Sequence, residues 1–119
     1  MDVKVISFAQ GQKVDIGNNS WSCHLLNANT VGSQKAMLGL STFTPGTDTA
    51  QKVHEEEELC YILKGRGSIT VGKEEVFYEA GQAVFIPAGV PHGVRNSGSE
   101  DVVMIYVFSY PAYPPTKDA

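Results

Sequence analysis

The chain has 119 residues, 42% of them hydrophobic and 18% charged, with a net charge of −4 and an isoelectric point near 5.2. That is one ordinary globular domain, long enough to bury a core. Nine basic residues, scattered without a run or stripe, argue against a nucleic-acid partner.

The predicted elements are short and strand-like. Val3 to Phe8 alternates loosely and reads as a first strand. Gly11, Gly17, Asn18 and Asn19 break the stretch that follows. Trp21 to Leu26 and Ala36 to Phe43 are the next strand candidates, and Thr44-Pro45-Gly46-Thr47-Asp48 has the chemistry of a turn. Gln51 to His54 and Glu58 to Leu63 follow, the latter ending at Lys64-Gly65-Arg66-Gly67, with Arg66 read as solvated. Ser68 to Val71, Val76 to Tyr78, Ala83 to Ile86 and His92 to Arg95 continue the series. Val102 to Phe108 is fully apolar, as expected of a strand covered on both faces. About ten short strands punctuated by twelve glycines and six prolines favour an all-β sandwich or closed barrel. No stretch holds a 3.6-residue period over a helical length. Pro111 to Ala119 reads as an extended tail outside the domain.

No apolar segment follows Met1-Asp2-Val3-Lys4, so a signal peptide is not expected. The longest apolar run has seven residues, against the ~20 of a membrane span. A cytoplasmic, non-membrane protein is the expectation. Cys23 and Cys60 form no C-x-x-C pair and read as buried, unlinked thiols, with Cys60 a minor pocket candidate.

Chemistry concentrates in two stretches. Lys52-Val53-His54-Glu55-Glu56-Glu57-Glu58 places His54 and Glu58 four apart, so they share a face on a strand or on a helix. Pro87-Ala88-Gly89-Val90-Pro91-His92 brings a second imidazole from another element. Two histidines and one carboxylate with open positions form the facial triad of non-haem Fe(II) sites, and related donor sets suit Zn, Mn, Ni or Cu. Glu56 shares strand parity with His54 and is a weaker alternative ligand. His24 reads as structural or exposed; Tyr61, Tyr78, Tyr106, Trp21 and Phe85 read as core or pocket wall. Arg95 is a candidate anion contact.

Gly81-x5-Pro87-x-Gly89-x2-His92-x3-Asn96 resembles the second cupin motif at every defined position. Gly46, His54, Glu58 and Gly65 resemble the first motif in register, with Lys52 where the family has its first histidine. The resemblance implies a single jelly-roll cupin β-barrel over residues 1–110, with motif one at 46–65, motif two at 81–96 and a Pro-rich tail at 111–119. It implies metal ligands His54, Glu58 and His92 for a divalent ion, iron first and Mn, Ni or Zn next. It leaves two pictures of Lys52. In one, the ion keeps three protein ligands, and Lys52 turns slightly aside to hold an anionic substrate group or act as acid or base. In the other there is no metal, Lys52 pairs with Glu58, and His54, His92 and Lys52 do acid–base work. Lys52, Glu58 and His92 are the candidate catalytic residues. The expected function is an enzyme acting on a small polar or carboxylated metabolite, as an oxygenase or as a Lewis-acid isomerase, lyase or decarboxylase. A non-catalytic small-molecule binding cupin is the alternative. A homodimer is expected, covering an exposed apolar edge such as Val3 to Phe8.

Overall fold

The computed structural model describes residues 2–119 and is almost entirely β. Its strands are β1 (Gln12–Gly17), β2 (Ser20–Leu26), β3 (Met37–Phe43), β4 (Lys52–Val53), β5 (Glu58–Lys64) and β6 (Arg66–Val71). They continue with β7 (Glu74–Glu79), β8 (Ala83–Ile86), β9 (Gly93–Arg95), β10 (Val102–Phe108) and β11 (Lys117–Asp118). One sheet has six strands in the order β1-β2-β3-β10-β5-β8, a second has the order β7-β6-β9, and β11 pairs with β4. Every pairing is antiparallel. Among the described residues, no helix is long and apolar enough to cross a membrane.

The strand period of two sorts the sheet into faces. On β10, Val102, Met104, Tyr106 and Phe108 are buried, while Val103, Ile105 and Val107 are half-buried. The expected double-sided cover therefore holds for one face only. The core gathers on the inner face, where Ile62, Met37, Ile69, Tyr78 and Ile86 join the four β10 residues. Leu59, Tyr61 and Phe85 point outward and keep about half their surface open.

Three expectations change. Val3 to Ser7 is not a strand, and Phe8–Gln10 is a 3-10 turn whose Phe8 packs edge-on to Trp21 with ring centroids 5.5 Å apart. The edge expected to need a dimer partner is thus not a strand edge. β1, read as a break, is an edge strand exposed along its length, its Val14–Ile16 alternation being too short to stand out between glycines and asparagines. Its hairpin turns through Gly17, Asn18 and Asn19, all at positive φ. A short helix, α1 (Ala28–Val31), is capped by Asn27 and ended by left-handed Gly32, and four residues cannot display a helical period.

The turns after β5 and β9 are tightly specified. Gly65 sits at φ 82°, and a side chain there would also collide with the Asp101 carbonyl, so glycine is required twice over. Asn96 is 1% exposed and ties its own loop to the end of β3: its amide donates to the Phe43 and Glu100 carbonyls at 2.8 and 2.9 Å, and its oxygen accepts from the Gly98 N–H at 3.0 Å.

The 111–119 segment is not a free tail. Lys117 and Asp118 pair with Val53 and Lys52, and Tyr113 folds back against Phe108 and His24.

Candidate metal centre and its cavity

The inner face of the large sheet lines a cavity of about 720 Å³. Register fixes its rows. Glu58, at the start of β5, pairs with Phe108 on one side and Ile86 on the other. One rung away, Cys60 pairs with Tyr106, Tyr106 with Gly39, and Gly39 with His24. Ser22 and Ser41 occupy the next rung.

Two loops deliver the histidines. His54 follows β4, where its carbonyl accepts the Gly89 N–H at 2.9 Å. His92 precedes β9, and Lys52 and His92 exchange two backbone hydrogen bonds of 2.9 Å. Lys52 therefore places His92 through its main chain. Its side chain leaves in the other direction, to Asp118 at 2.9 Å with 54% of its surface exposed. It pairs with Asp118 and not with Glu58, as the metal-free picture had expected. The strand ends at Val53, so period-two parity does not carry Lys52 to His54's side. The structure brings together His54, Glu58 and His92, with one potential ligand atom from each lying within 4.8 Å of the others.

The hydrogen bonding of the rings tests whether a cation fits. His54 Nδ1 meets the Glu56 carbonyl at 2.9 Å and His92 Nδ1 meets the Val90 carbonyl at 2.8 Å. A carbonyl only accepts, so both Nδ1 atoms carry hydrogen, and in a neutral ring Nε2 is then a bare lone pair. Both Nε2 atoms face the same Glu58 oxygen, at 3.3 and 3.4 Å. Lone pairs against a carboxylate repel unless positive charge lies among them. His54 Nε2 is buried and, though near Glu58, finds no properly directed hydrogen bond. A proton relieves part of this; a divalent cation touching all three groups relieves all of it, and the donor set is the one such ions take.

The electrostatics agree. Burial alone would raise the Glu58 carboxyl, but the imidazoles of His54 and His92 outweigh it and hold the group at about 2, from an ordinary 4.5. Burial opposes charge on His92, yet the Glu58 carboxylate and Val90 carbonyl win and raise its pKa. Cys60 Sγ lies 3.4 Å from Glu58 Oε2, and burial with the neighbouring carboxylate pushes the thiol far up, which makes it an inert wall. Both cysteines are free.

The remaining candidates separate. Glu56 contributes its carbonyl, not its carboxylate, to the cluster. Arg95 is engaged by Asp48 at 3.1 Å and by Glu75, so the expected anion contact is already taken. His24, read as structural, lines the cavity with Tyr106 and Tyr113. Tyr113 was hidden because it lies beyond the last long strand and reaches the site only through the chain's return. Desolvation of its hydroxyl, with the Glu58 charge, raises that group to about 12, although the residue as a whole keeps about half its surface exposed.

Tyr106 lies flat across Gly39, where a methyl group would run into its ring. Gly39→Ala is expected to destabilise the fold by about 1–3 kcal/mol through overpacking and to displace Tyr106. Thermal unfolding with near-UV circular dichroism checks this; an unchanged aromatic signal would refute the packing argument.

The cupin domain model matches residues 39–108. An uncharacterized protein of Streptomyces coelicolor is 39% identical over 74 residues, covering 62% of this chain and 70% of that protein. The polyketide synthase protein CurC of Streptomyces cyaneus is 31% identical over 86 residues, 71% of this chain but only 56% of CurC. The polyketide cyclase RemF of Streptomyces resistomycificus superposes with a TM-score of 0.83 at 20% identity, over 99% of this chain and 86% of RemF. The match over more than half the chain, on a double-stranded β-helix that aligns with solved cupins, places this protein in the cupin family.

Proposed function

We infer that the chain is a metal-dependent cupin enzyme whose His54, Glu58 and His92 hold one divalent cation. The observation that carries this is the convergence of two Nε2 lone pairs on one carboxylate oxygen with His54 Nε2 left unsatisfied. Iron is the first candidate for a two-histidine, one-carboxylate set, with Mn, Ni and Zn next. Such an ion supplies Lewis acidity and open positions for an oxygen of the substrate. The chain's own residues orient that substrate: the Glu56 and Val90 carbonyls fix the rings, and Phe108, edge-on to His54 at 5.0 Å, forms an apolar wall.

The cavity points away from a small dicarboxylate. Among the described residues its only Lys or Arg is Lys52, at the rim and tied to Asp118. A ligand with one oxygen for the metal and an apolar body fits better than the small polar metabolite first expected. The names of two similar proteins, polyketide synthase CurC and polyketide cyclase RemF, support a polyketide-like ligand.

Elemental analysis of protein purified without a metal-binding tag is expected to give about one equivalent per chain. Loading should also depend on pH. His92 holds its proton above the ordinary range, so uptake must displace it. Affinity is therefore expected to fall as pH drops and to rise through and above neutrality, with proton release in calorimetry run in two buffers. Absence of metal after reconstitution, or uptake indifferent to pH between 6 and 8, would sink the assignment.

A further inference from the structure

We propose that Tyr106, with the Ser22, Ser41 and His24 side chains around it, is a second polar pole of the cavity that binds an oxygen at the far end of the ligand. The proposal rests on the metal-site reading for which end of the ligand is held first. Tyr106 is 3% exposed, and its hydroxyl, though beside Ser22, makes no well-directed hydrogen bond. A buried, unpaired hydroxyl is costly, and sequences that need only packing use phenylalanine instead. Phenylalanine would fill the same space over Gly39.

The neighbourhood is polar without being charged. Ser22 Oγ and Ser41 Oγ hydrogen-bond at 2.7 Å on the adjoining rung. His24 meets the Tyr106 ring edge-on at 6.4 Å and stacks on Tyr113 at 5.6 Å. Burial lowers the pKa of His24, so it is a neutral donor or acceptor. Neutral hydroxyl and imidazole groups recognise a hydroxyl or carbonyl oxygen rather than an anion.

Between the poles stands one aromatic ring. Phe108 is 5.0 Å from His54 and 5.8 Å from Tyr106, centroid to centroid. The ligand class that satisfies both ends is a flat, apolar molecule carrying oxygen at each end, one for the cation and one for Tyr106. A mostly apolar site with a few placed polar groups discriminates strongly against an analogue missing one of them, because the protein group is then stranded.

The test uses two probes on metal-loaded full-length protein: a naphthalenediol with hydroxyls on opposite rings, and the naphthol lacking one of them. Wild type is expected to bind the diol about 10-fold tighter than the naphthol. Tyr106→Phe should erase that gap and leave naphthol affinity and metal content unchanged. Its Tm should hold, since the hydroxyl removed makes no well-directed hydrogen bond. A preference that survives in Tyr106→Phe, or wild type that shows none, overturns the proposal. So does a fall in Tm that accompanies the loss, since that marks a structural role. His92→Ala separates the two readings. If it keeps metal but Tyr106 still sets the diol preference, the metal assignment fails and this one stands.

Discussion

Replacing His92 with alanine is expected to lower affinity for a divalent cation by more than about 100-fold. Loss of a mere outer-shell partner costs about 10–100-fold, and here one of three direct donors is removed. The remaining pair, His54 Nε2 and Glu58 Oε1, stands 3.3 Å apart and offers two points where three met. Glu58→Gln should be as damaging, because it keeps the shape while deleting the negative charge on which both rings converge. Lys52→Ala is the contrasting variant. Its ammonium is bound to Asp118 and half exposed, and it positions His92 through backbone atoms that alanine retains. Metal affinity in Lys52→Ala should stay within about 3-fold of wild type, an exposed ion pair being worth only about 0–1 kcal/mol. Competition against a chromophoric chelator measures all three. Full affinity in His92→Ala would break the ligand assignment, and a collapse in Lys52→Ala would put its side chain back at the site.

What could be read ahead of the structure was what lies within short, motif-like spacing. His92 and Asn96 sit in a run of defined residues whose turn chemistry is local, and His54 and Glu58 are four apart, so their convergence needs few assumptions. The cupin architecture and its strand series were legible for the same reason. The far wall of the cavity was not. His24 and Tyr106 become neighbours only through the β2–β3–β10 register, and spacing along a chain says nothing about which strands lie adjacent. Tyr113 and Asp118 lie in a Pro-rich segment whose composition signals extension. The partner that captures it, β4, is itself two residues long. Lys52 was placed at the site by its motif position alone, and a motif position does not say that a long charged side chain will turn out to Asp118.

Asn96→Ala is expected to be among the most destabilising single changes, at about 3 kcal/mol or more. The amide makes three hydrogen bonds from a site that is 1% exposed. Truncation strands the buried Phe43 carbonyl, at about 1–3 kcal/mol, and adds a smaller cost for the part-buried Glu100 carbonyl and Gly98 N–H. Water relieves part of that, which keeps the figure below the simple total. The main chain of the same residue holds the Gly46 and Thr47 turn, by bonds of 2.8 Å each way, so a local shift spreads into the loop that leads to Lys52 and His54. Asn96→Asp decides whether shape or hydrogen-bond polarity matters. It can still accept from Gly98, but it turns a donor into a negative charge facing two carbonyl oxygens. Aspartate should therefore be no better than alanine, with Tm lowered by more than about 10 °C in either variant. A loss below about 1 kcal/mol in Asn96→Ala would mean that the β9–β10 loop and the end of β3 hold together without the clamp. The folded fraction of either variant should still take up metal, because Asn96 touches none of the three ligands; it sets how often the loops carrying them are in place.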